Sequence, residues 1–456
     1  MSKNPTAPLP TLPAPLAGPP LPQRIGKYRV LARLGEGATS EVFLAHDDFN
    51  QRDVAIKRVR KLESLDASDG HYRDHFFAAE AALVGRLNHP NVVQIFDAID
   101  DPVEPYLVME YVPGVTLRRY CRPDTLLPLE QVVEIGFKCA MALGYVFRQG
   151  LIHRDVKPAN VLAITRNELV VDVKLSDFGS VLNLESDRTQ VFRVGSLAYM
   201  SPEQLNGDAL DARADMYALA AVLYHLIAGR APFDAARQPA LMHQIYNTAP
   251  APLEGLREGV SPRLAGLINQ ALAKKREDRP ANWDDFAQAL AALVANGDVP
   301  RGPLQGVLDS ERFSLLRSLE FFAGFGDVEL WEVVHRAKWQ RFNFGDALFR
   351  KGDTGDSFHI IAQGQVDVFR DGARVAQLGA GTSVGEMAYL APNAELRTHQ
   401  ADVIVAQAAA TVSFTPHTLM QLGLGTQRLF DAAFIKVLVR RLHAAHETLA
   451  HPRRIL

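Results

Sequence analysis

The stretch His153-Arg154-Asp155-Val156-Lys157-Pro158-Ala159-Asn160, with Asp177-Phe178-Gly179 beginning seventeen residues beyond it, constrains the fold more than any other part of the chain. It asks for two loops lying side by side, so that a carboxylate, a cation and two oxygen ligands converge. Phosphoryl transfer needs these parts, because the protein's work there is positioning and charge neutralisation rather than covalent chemistry. A lone Asp-Phe-Gly triplet arises by chance, whereas the longer stretch followed by the triplet is a specific signal.

A chain of 456 residues is too long for one core, which predicts about two or three domains. The balance of 49 Lys+Arg against 52 Asp+Glu gives a net charge of -3, so nothing in the global charge points to nucleic acid or an anionic membrane surface as a partner. The short basic pairs Arg118-Arg119 and Arg440-Arg441 read as solvated surface. Cys121 and Cys139 are the two cysteines of the chain, with no Cys-x-x-Cys spacing, so neither a disulfide framework nor a zinc site is indicated. No apolar run reaches the roughly 18 residues of a membrane span. The N-terminus lacks a signal-peptide pattern. The expectation is a cytoplasmic protein with no membrane span.

Prolines at 5, 8, 10, 13, 15, 19, 20 and 22 make residues 1–25 a disordered, polyproline-prone leader, or a docking site for a proline-binding partner. From Tyr28 the pattern is strand-like: Tyr28 to Leu34, Glu41 to Ala45, Asp53 to Lys57, Val92 to Phe96 and Tyr106 to Glu110, with a helical stretch around Phe76 to Leu87. Helical periodicity then dominates at 129–148, 213–228, 262–273 and 283–295. Gly and Pro mark a linker after Asn296. Short strands from Phe342 to Phe414 and a final helix, Gln427 to Leu449, complete the chain.

Gly35-Glu36-Gly37-Ala38-Thr39-Ser40-Glu41-Val42 joins two of these strands. Glycines there allow backbone N–H groups to approach phosphate oxygens, although a plain hairpin turn has the same composition. A strand, not a helix, follows, so this is not a dinucleotide fingerprint. Lys57 in Val54-Ala55-Ile56-Lys57 suits phosphate binding as a point charge, and Glu80 is the best candidate for its counter-charge.

On these motifs residues 28–295 resemble a eukaryotic-type protein kinase domain, close to the bacterial Ser/Thr kinases. The resemblance implies ATP, Mg2+ and protein substrates with Ser or Thr acceptors. It implies that Asp155 accepts the substrate hydroxyl proton, Lys157 steadies the transferred group, and Asn160 and Asp177 hold magnesium. Lys157, two residues past the aspartate, is the Ser/Thr-type arrangement. Leu34, Gly35, Glu36, Gly37, Ala38, Thr39 and Ser40 would cover the phosphates. Val42, Ala55 and Leu162 would sandwich adenine, with Met109 as gatekeeper and the backbone of Glu110 and Val112 reading the base. Glu203 is expected to pair with Arg279, and Asp215 to anchor the catalytic loop. Two positions depart from the family: Ser40 stands for the third glycine, and Ser196 for a threonine. Arg154 beside the base suggests control by activation-loop phosphorylation, with Thr189 the first candidate acceptor and Ser180 and Ser186 behind it.

Residues 313–450 resemble a cyclic-nucleotide-binding domain, on Phe344-Gly345-Asp346, Lys351 to Phe358, Gly364 to Val368 and Gly381-Thr382-Ser383-Val384-Gly385-Glu386-Met387-Ala388. The resemblance implies that Glu386 accepts a ribose 2′-hydroxyl, that amides from Gly385 onward meet a cyclic phosphate, and that Arg397-Thr398 neutralises it. Cyclic AMP or cyclic GMP would be the effector. Val384 stands where phenylalanine is common, and Arg397 lies slightly farther from Glu386 than in many members.

The expected architecture is α+β. A leader over 1–25 precedes a bilobal protein kinase fold over 26–295, with its small lobe over 26–112 and its large lobe over 113–295. A linker over 296–312 leads to a cyclic-nucleotide-binding-type jelly-roll β-barrel with flanking helices over 313–450. The alternative to a regulated kinase is a kinase-fold scaffold whose barrel is degenerate and serves protein contacts.

Overall fold

The computed structural model describes residues 20–36, 40–59, 77–101, 104–183, 197–300, 302, 308–391 and 397–450. Contacts divide the chain into two units, Met1–Gly306 and Val307–Leu456. In the first, β1 (Arg24–Ile25), β2 (Tyr28–Glu36), β3 (Ser40–Asp47), β4 (Arg52–Val59), β5 (Ile95–Ile99) and β6 (Tyr106–Glu110) form an antiparallel sheet of order β1-β2-β3-β4-β6-β5. Side chains alternate across a strand. Val54 and Ile56 of β4 are therefore buried with Phe43, Ala45, Tyr106 and Val108, and Lys57 is delivered to the opposite face.

Two expected elements differ. Among the described residues of the stretch around Phe76 to Leu87, helix covers 77–81, with turns at 82–86. Gly85 takes φ +68° and donates its N–H to Ile95 O, which ends the helical path. The strand expected over Val92 to Phe96 begins at Ile95 instead. The Val93 N–H donates to Leu175 O, and Asn91 O accepts from Leu175, so this segment's backbone is tied elsewhere.

The rest of the unit is helical, around Leu129–Arg148, Ala212–Ala228, Pro262–Ala271 and Trp283–Ala295. Asp211, Ser261 and Asn282 cap three of these helices by accepting a main-chain N–H two or three residues on. Gly136 lets the first helix approach the second: a Cβ there would lie 2.9 Å from Leu223 Cδ1. Short ladders pair β7 (Val115–Thr116) with β9 (Val161–Arg166), β9 with β10 (Leu169–Leu175), and β8 (Leu151–Ile152) with β11 (Leu182–Asn183). No helix among the described residues is long and apolar enough to cross a membrane.

The second unit opens with helices Asp309–Ser318 and Asp327–Arg336. β12 (Lys338–Phe342), β13 (Ala347–Phe349), β14 (Phe358–Arg370), β15 (Ala373–Gly379), β16 (Ser383–Val384) and β17 (Asp402–Phe414) follow. The sheet runs β12-β17-β14-β15, with β13 on β17 and β16 on β14, a β-rich fold of jelly-roll type. Phe358 and Phe414 stack at 5.1 Å and meet Phe430 and Phe434 of the closing helix Leu424–Ala450.

Inside this barrel His359 is buried, and its Nδ1 lies 2.9 Å from Thr411 Oγ1. Burial, with His399 and Lys338 nearby, pushes its pKa from 6.5 down to about 4. The unfolded chain takes the proton first, so this group's stabilisation is present above pH 6.5 and is lost as pH falls toward 4. The expected loss is on the order of 3 kcal/mol over that window. Urea unfolding of the barrel between pH 7 and pH 4.5, roughly the range in question, is expected to fall less steeply for His359→Gln than for the wild type. Parallel slopes would show that the histidine is not the group responsible.

Candidate functional site

Register brings the two loops of the opening motif together. β9 and β10 pair antiparallel with Val161 opposite Leu175, so the residues before β9 and after β10 share one end of the ladder. There Ser176 N–H donates to Asn160 O at 2.9 Å, and Asp177 is next in line. β8 runs directly into His153. The Asp215 carboxylate, 4% exposed, accepts the His153 N–H at 2.7 Å and the Arg154 N–H at 2.8 Å. Those bonds hold Arg154 at φ +65°, a left-handed conformation that costs a non-glycine residue energy. Asp177, in the second of the two loops, also has a left-handed φ of +64°.

Asp155 Oδ2 accepts from Lys157 Nζ at 2.7 Å and from Asn160 Nδ2 at 3.0 Å. His153 Nε2 lies 3.2 Å from Ser176 O, so it carries the ring proton, and Nδ1 accepts the Asp155 N–H at 3.4 Å. The ring packs 4.7 Å from Phe178.

Lys57 reaches this end from β4. Its ammonium donates to both oxygens of buried Glu80, at 2.9 and 2.8 Å, and to Asp177 Oδ1 at 2.7 Å. Burial works against the charge, but Glu80 and then Asp177 outweigh it and hold the ammonium above its ordinary range.

Leu34, Gly35 and Glu36 end β2, with Gly35 opposite Val42 and Val42 opposite Lys57. Ser40 opens β3. Ala55 is paired with Met109 across β4 and β6. Val112 is buried just past β6. Leu162 lies opposite Lys174, whose Nζ is 2.9 Å from the Glu110 carboxylate. Gly37, Ala38, Thr39, Ser186, Thr189 and Ser196 fall outside the described residues. Ser180, a reserve candidate acceptor, is 5% exposed, and its carbonyl accepts from Arg154 Nε.

Glu203 and Arg279 form a buried two-bond pair at 2.6 and 2.9 Å. One residue that sequence reasoning passed over is Gln204. It completes a capping box with Ser201, and its Nε2 donates to Arg154 O at 2.9 Å, tying this segment to the catalytic loop. The signal was present as Ser201-Pro202-Glu203-Gln204.

In the second unit Gly385 (φ +84°) precedes the short helix Glu386–Tyr389. A Cβ on Gly385 would lie 2.7 Å from Phe349 Cζ, so glycine is required for backbone angle and space. Glu386 is 1% exposed and bonded through Oε1 to Arg441 Nη1, while Arg441 Nη2 donates to Ser383 O at 2.8 Å. Burial pushes the Glu386 carboxyl up, with Arg441 opposing. Arg397 Nε donates to Ala391 O at 3.2 Å, and Thr398 bridges to Thr354. The reading of Arg440-Arg441 as solvated surface is therefore corrected for Arg441. A separation of 55 residues between Glu386 and Arg441 left no local signal.

A family model described as protein kinase domain matches residues 28–292, and one described as cyclic nucleotide-binding domain matches residues 339–422. The chain is similar to the serine/threonine-protein kinase PknB of Mycobacterium leprae, 36% identical over 307 residues, covering 65% of this chain and 47% of that protein. PknB of Mycobacterium tuberculosis (strain H37Rv) is 36% identical over 302 residues, 64% of this chain and 46% of that protein. The probable serine/threonine-protein kinase PknB of Bifidobacterium longum is 31% identical over 303 residues, 64% of this chain and 42% of that protein. The chain thus spans about half the length of the curated relatives it matches. With the match over residues 28–292 taking in more than half of its sequence, the chain belongs to the protein kinase domain family.

Proposed function

We propose that the chain is an ATP-dependent serine/threonine protein kinase whose C-terminal barrel responds to a cyclic nucleotide. The observation that carries the first part is the state of Asp155. One oxygen is held by Lys157 and Asn160, and Oδ1 makes no hydrogen bond among the described residues, which leaves it to take a proton from a substrate hydroxyl. Lys157 stands beside it to meet the transferred phosphoryl group. Lys57, oriented by Glu80, binds the nucleotide's phosphates. In this reading Leu34, Gly35, Glu36, Gly37, Ala38, Thr39, Ser40, Val42, Ala55, Met109, Glu110, Val112 and Leu162 contact ATP.

The Asn160 amide nitrogen is engaged by Asp155, which turns its oxygen outward. With the Asp177 carboxylate this makes a pair of hard oxygen ligands that fits Mg2+. No group of three or more His, Cys, Asp or Glu suited to a metal occurs among the described residues, so phosphate oxygens and water would complete the shell. The ion, when bound, neutralises phosphate charge.

Glu386, with one oxygen enclosed and lacking a hydrogen-bond partner, supports the cyclic-nucleotide reading as the ribose acceptor, with Gly385, Arg397 and Thr398 around the phosphate. Thr189 is the activation-loop acceptor in this reading. Two buried, unpaired thiols suit a reducing, cytoplasmic compartment.

The purified chain with ATP, Mg2+ and a basic protein substrate is expected to yield phosphoserine or phosphothreonine, at a rate that changes on adding cyclic AMP or cyclic GMP. Phosphotyrosine would overturn the Ser/Thr assignment, and no transfer would remove the enzyme reading in favour of a scaffold. A rate indifferent to both nucleotides would remove the regulatory part.

A further inference from the structure

The C-terminal helix Leu424–Ala450 is held in two different ways along its length. Phe430, Ala433 and Phe434 are buried in the aromatic cluster with Phe321, Phe358 and Phe414. Beyond Phe434 no described side chain is buried: Ile435, Leu438, Val439 and Leu442 are exposed, and Val437 and Arg441 are intermediate. Apolar packing therefore contributes little to holding this half.

Two ion pairs remain among the described residues. Arg440 meets Glu320 at 2.7 Å with side chains 64% and 69% exposed, a setting in which such pairs contribute little. Arg441, its side chain 38% exposed, meets the enclosed Glu386 carboxylate and the Ser383 carbonyl, so one partner of this pair is out of water. Glu386 is enclosed, and its Oε2 has neither solvent nor a hydrogen-bond partner. A ligand hydroxyl reaches that carboxylate only if something covering it moves. Of the groups bonded to it, Arg441 sits on the element least secured by burial.

We propose that Arg441 is a built-in occupant of the effector pocket: its guanidinium latches the helix onto Glu386, and a ribose-bearing cyclic nucleotide binds by displacing it, releasing the helix beyond Phe434. This rests on the reading of Glu386 as the ribose acceptor. The latch itself does not, because the ion pair and the exposure pattern are independent of any ligand. Binding competes with an internal contact, so the apparent affinity of the wild type is reduced by the fraction of molecules that are latched.

Two measurements on the full chain separate the parts. Without nucleotide, Arg441→Met and Glu386→Gln are each expected to speed amide exchange over residues 435–443 by roughly tenfold, with the strands β14 and β17 unchanged as the control for folding. Unchanged exchange in both variants overturns the latch whatever the pocket binds. In calorimetry with cyclic AMP and cyclic GMP, Arg441→Met is expected to bind about tenfold more tightly than wild type. Equal or weaker binding overturns the competition and makes Arg441 a bystander or a ligand contact. If neither protein binds either nucleotide while the exchange result holds, the nucleotide is overturned as the displacing agent, and the ribose reading of Glu386 fails with it.

Discussion

Asp155→Asn is expected to lower the rate of phosphate transfer by about 10³-fold with little change in the KM for ATP. The substitution preserves shape: the remaining amide oxygen still accepts from Lys157 Nζ and Asn160 Nδ2, which reach Oδ2 at 2.7 and 3.0 Å. The amide nitrogen then takes the place of Oδ1 and has no lone pair to receive the acceptor's proton. The backbone is unaffected, since Asp215 holds the loop through the His153 and Arg154 N–H groups rather than through the Asp155 side chain. Steady-state kinetics with a peptide substrate, supported by ATP binding to the variant, provides the check. A fall of less than roughly tenfold would mean that Asp155 is not the general base.

Arg279→Met is expected to cost the kinase unit about 3–5 kcal/mol, a large part of the 5–15 kcal/mol typical of a whole domain. The Arg279 side chain has no solvent exposure and Glu203 has 8%. Besides Glu203, the guanidinium serves Ala273 O and Arg213 O, each at 2.9 Å, and lies 4.9 Å from the Tyr217 ring centroid. Methionine fills part of the volume but strands a buried carboxylate, whose desolvation is then uncompensated. Adding Glu203→Gln removes that charge, so the double variant is expected to be more stable than Arg279→Met alone. Denaturant midpoints of the wild type and the two variants decide it. A single-variant loss under about 1 kcal/mol, the range of an exposed pair, would show that the ion pair matters little.

The grouping of charged residues at the first site was legible because they are clustered in short motifs. Asp155, Lys157 and Asn160 lie within six residues, and one antiparallel register carries Asp177 to them. Lys57 stood out in the short motif Val54-Ala55-Ile56-Lys57, and the structure pairs it with Glu80, the counter-charge expected for it. The long helices followed from periodicity, and where the structure differs it shifts their ends by up to three residues, as in Ala212–Ala228 for 213–228 and Leu424–Ala450 for Gln427 to Leu449. The misplaced strand near Val92 had a different cause. Its apolar pattern is real, but the backbone donors and acceptors from Asn91 to Val93 were claimed by Leu175, a partner more than 80 residues away. Pattern reports which side chains avoid water, not which strand their peptide groups will find.

The second site divides in the same way. Gly385 and Glu386 stood out in one short motif, whereas Arg441, the cation that holds Glu386, lies in a helix whose charged residues looked like ordinary surface. The sequence by itself determined the two architectures and picked out the charged groups that converge at the first site, because residue type, spacing and period are local properties of the chain. The tertiary structure alone decided which buried charge meets which. Asp215 on the catalytic loop, Gln204 on Arg154 and Arg441 on Glu386 are pairings over 50 residues or more, made when chain closure puts a carboxylate or carbonyl out of reach of water. A buried polar group must then find its partner wherever the fold supplies one.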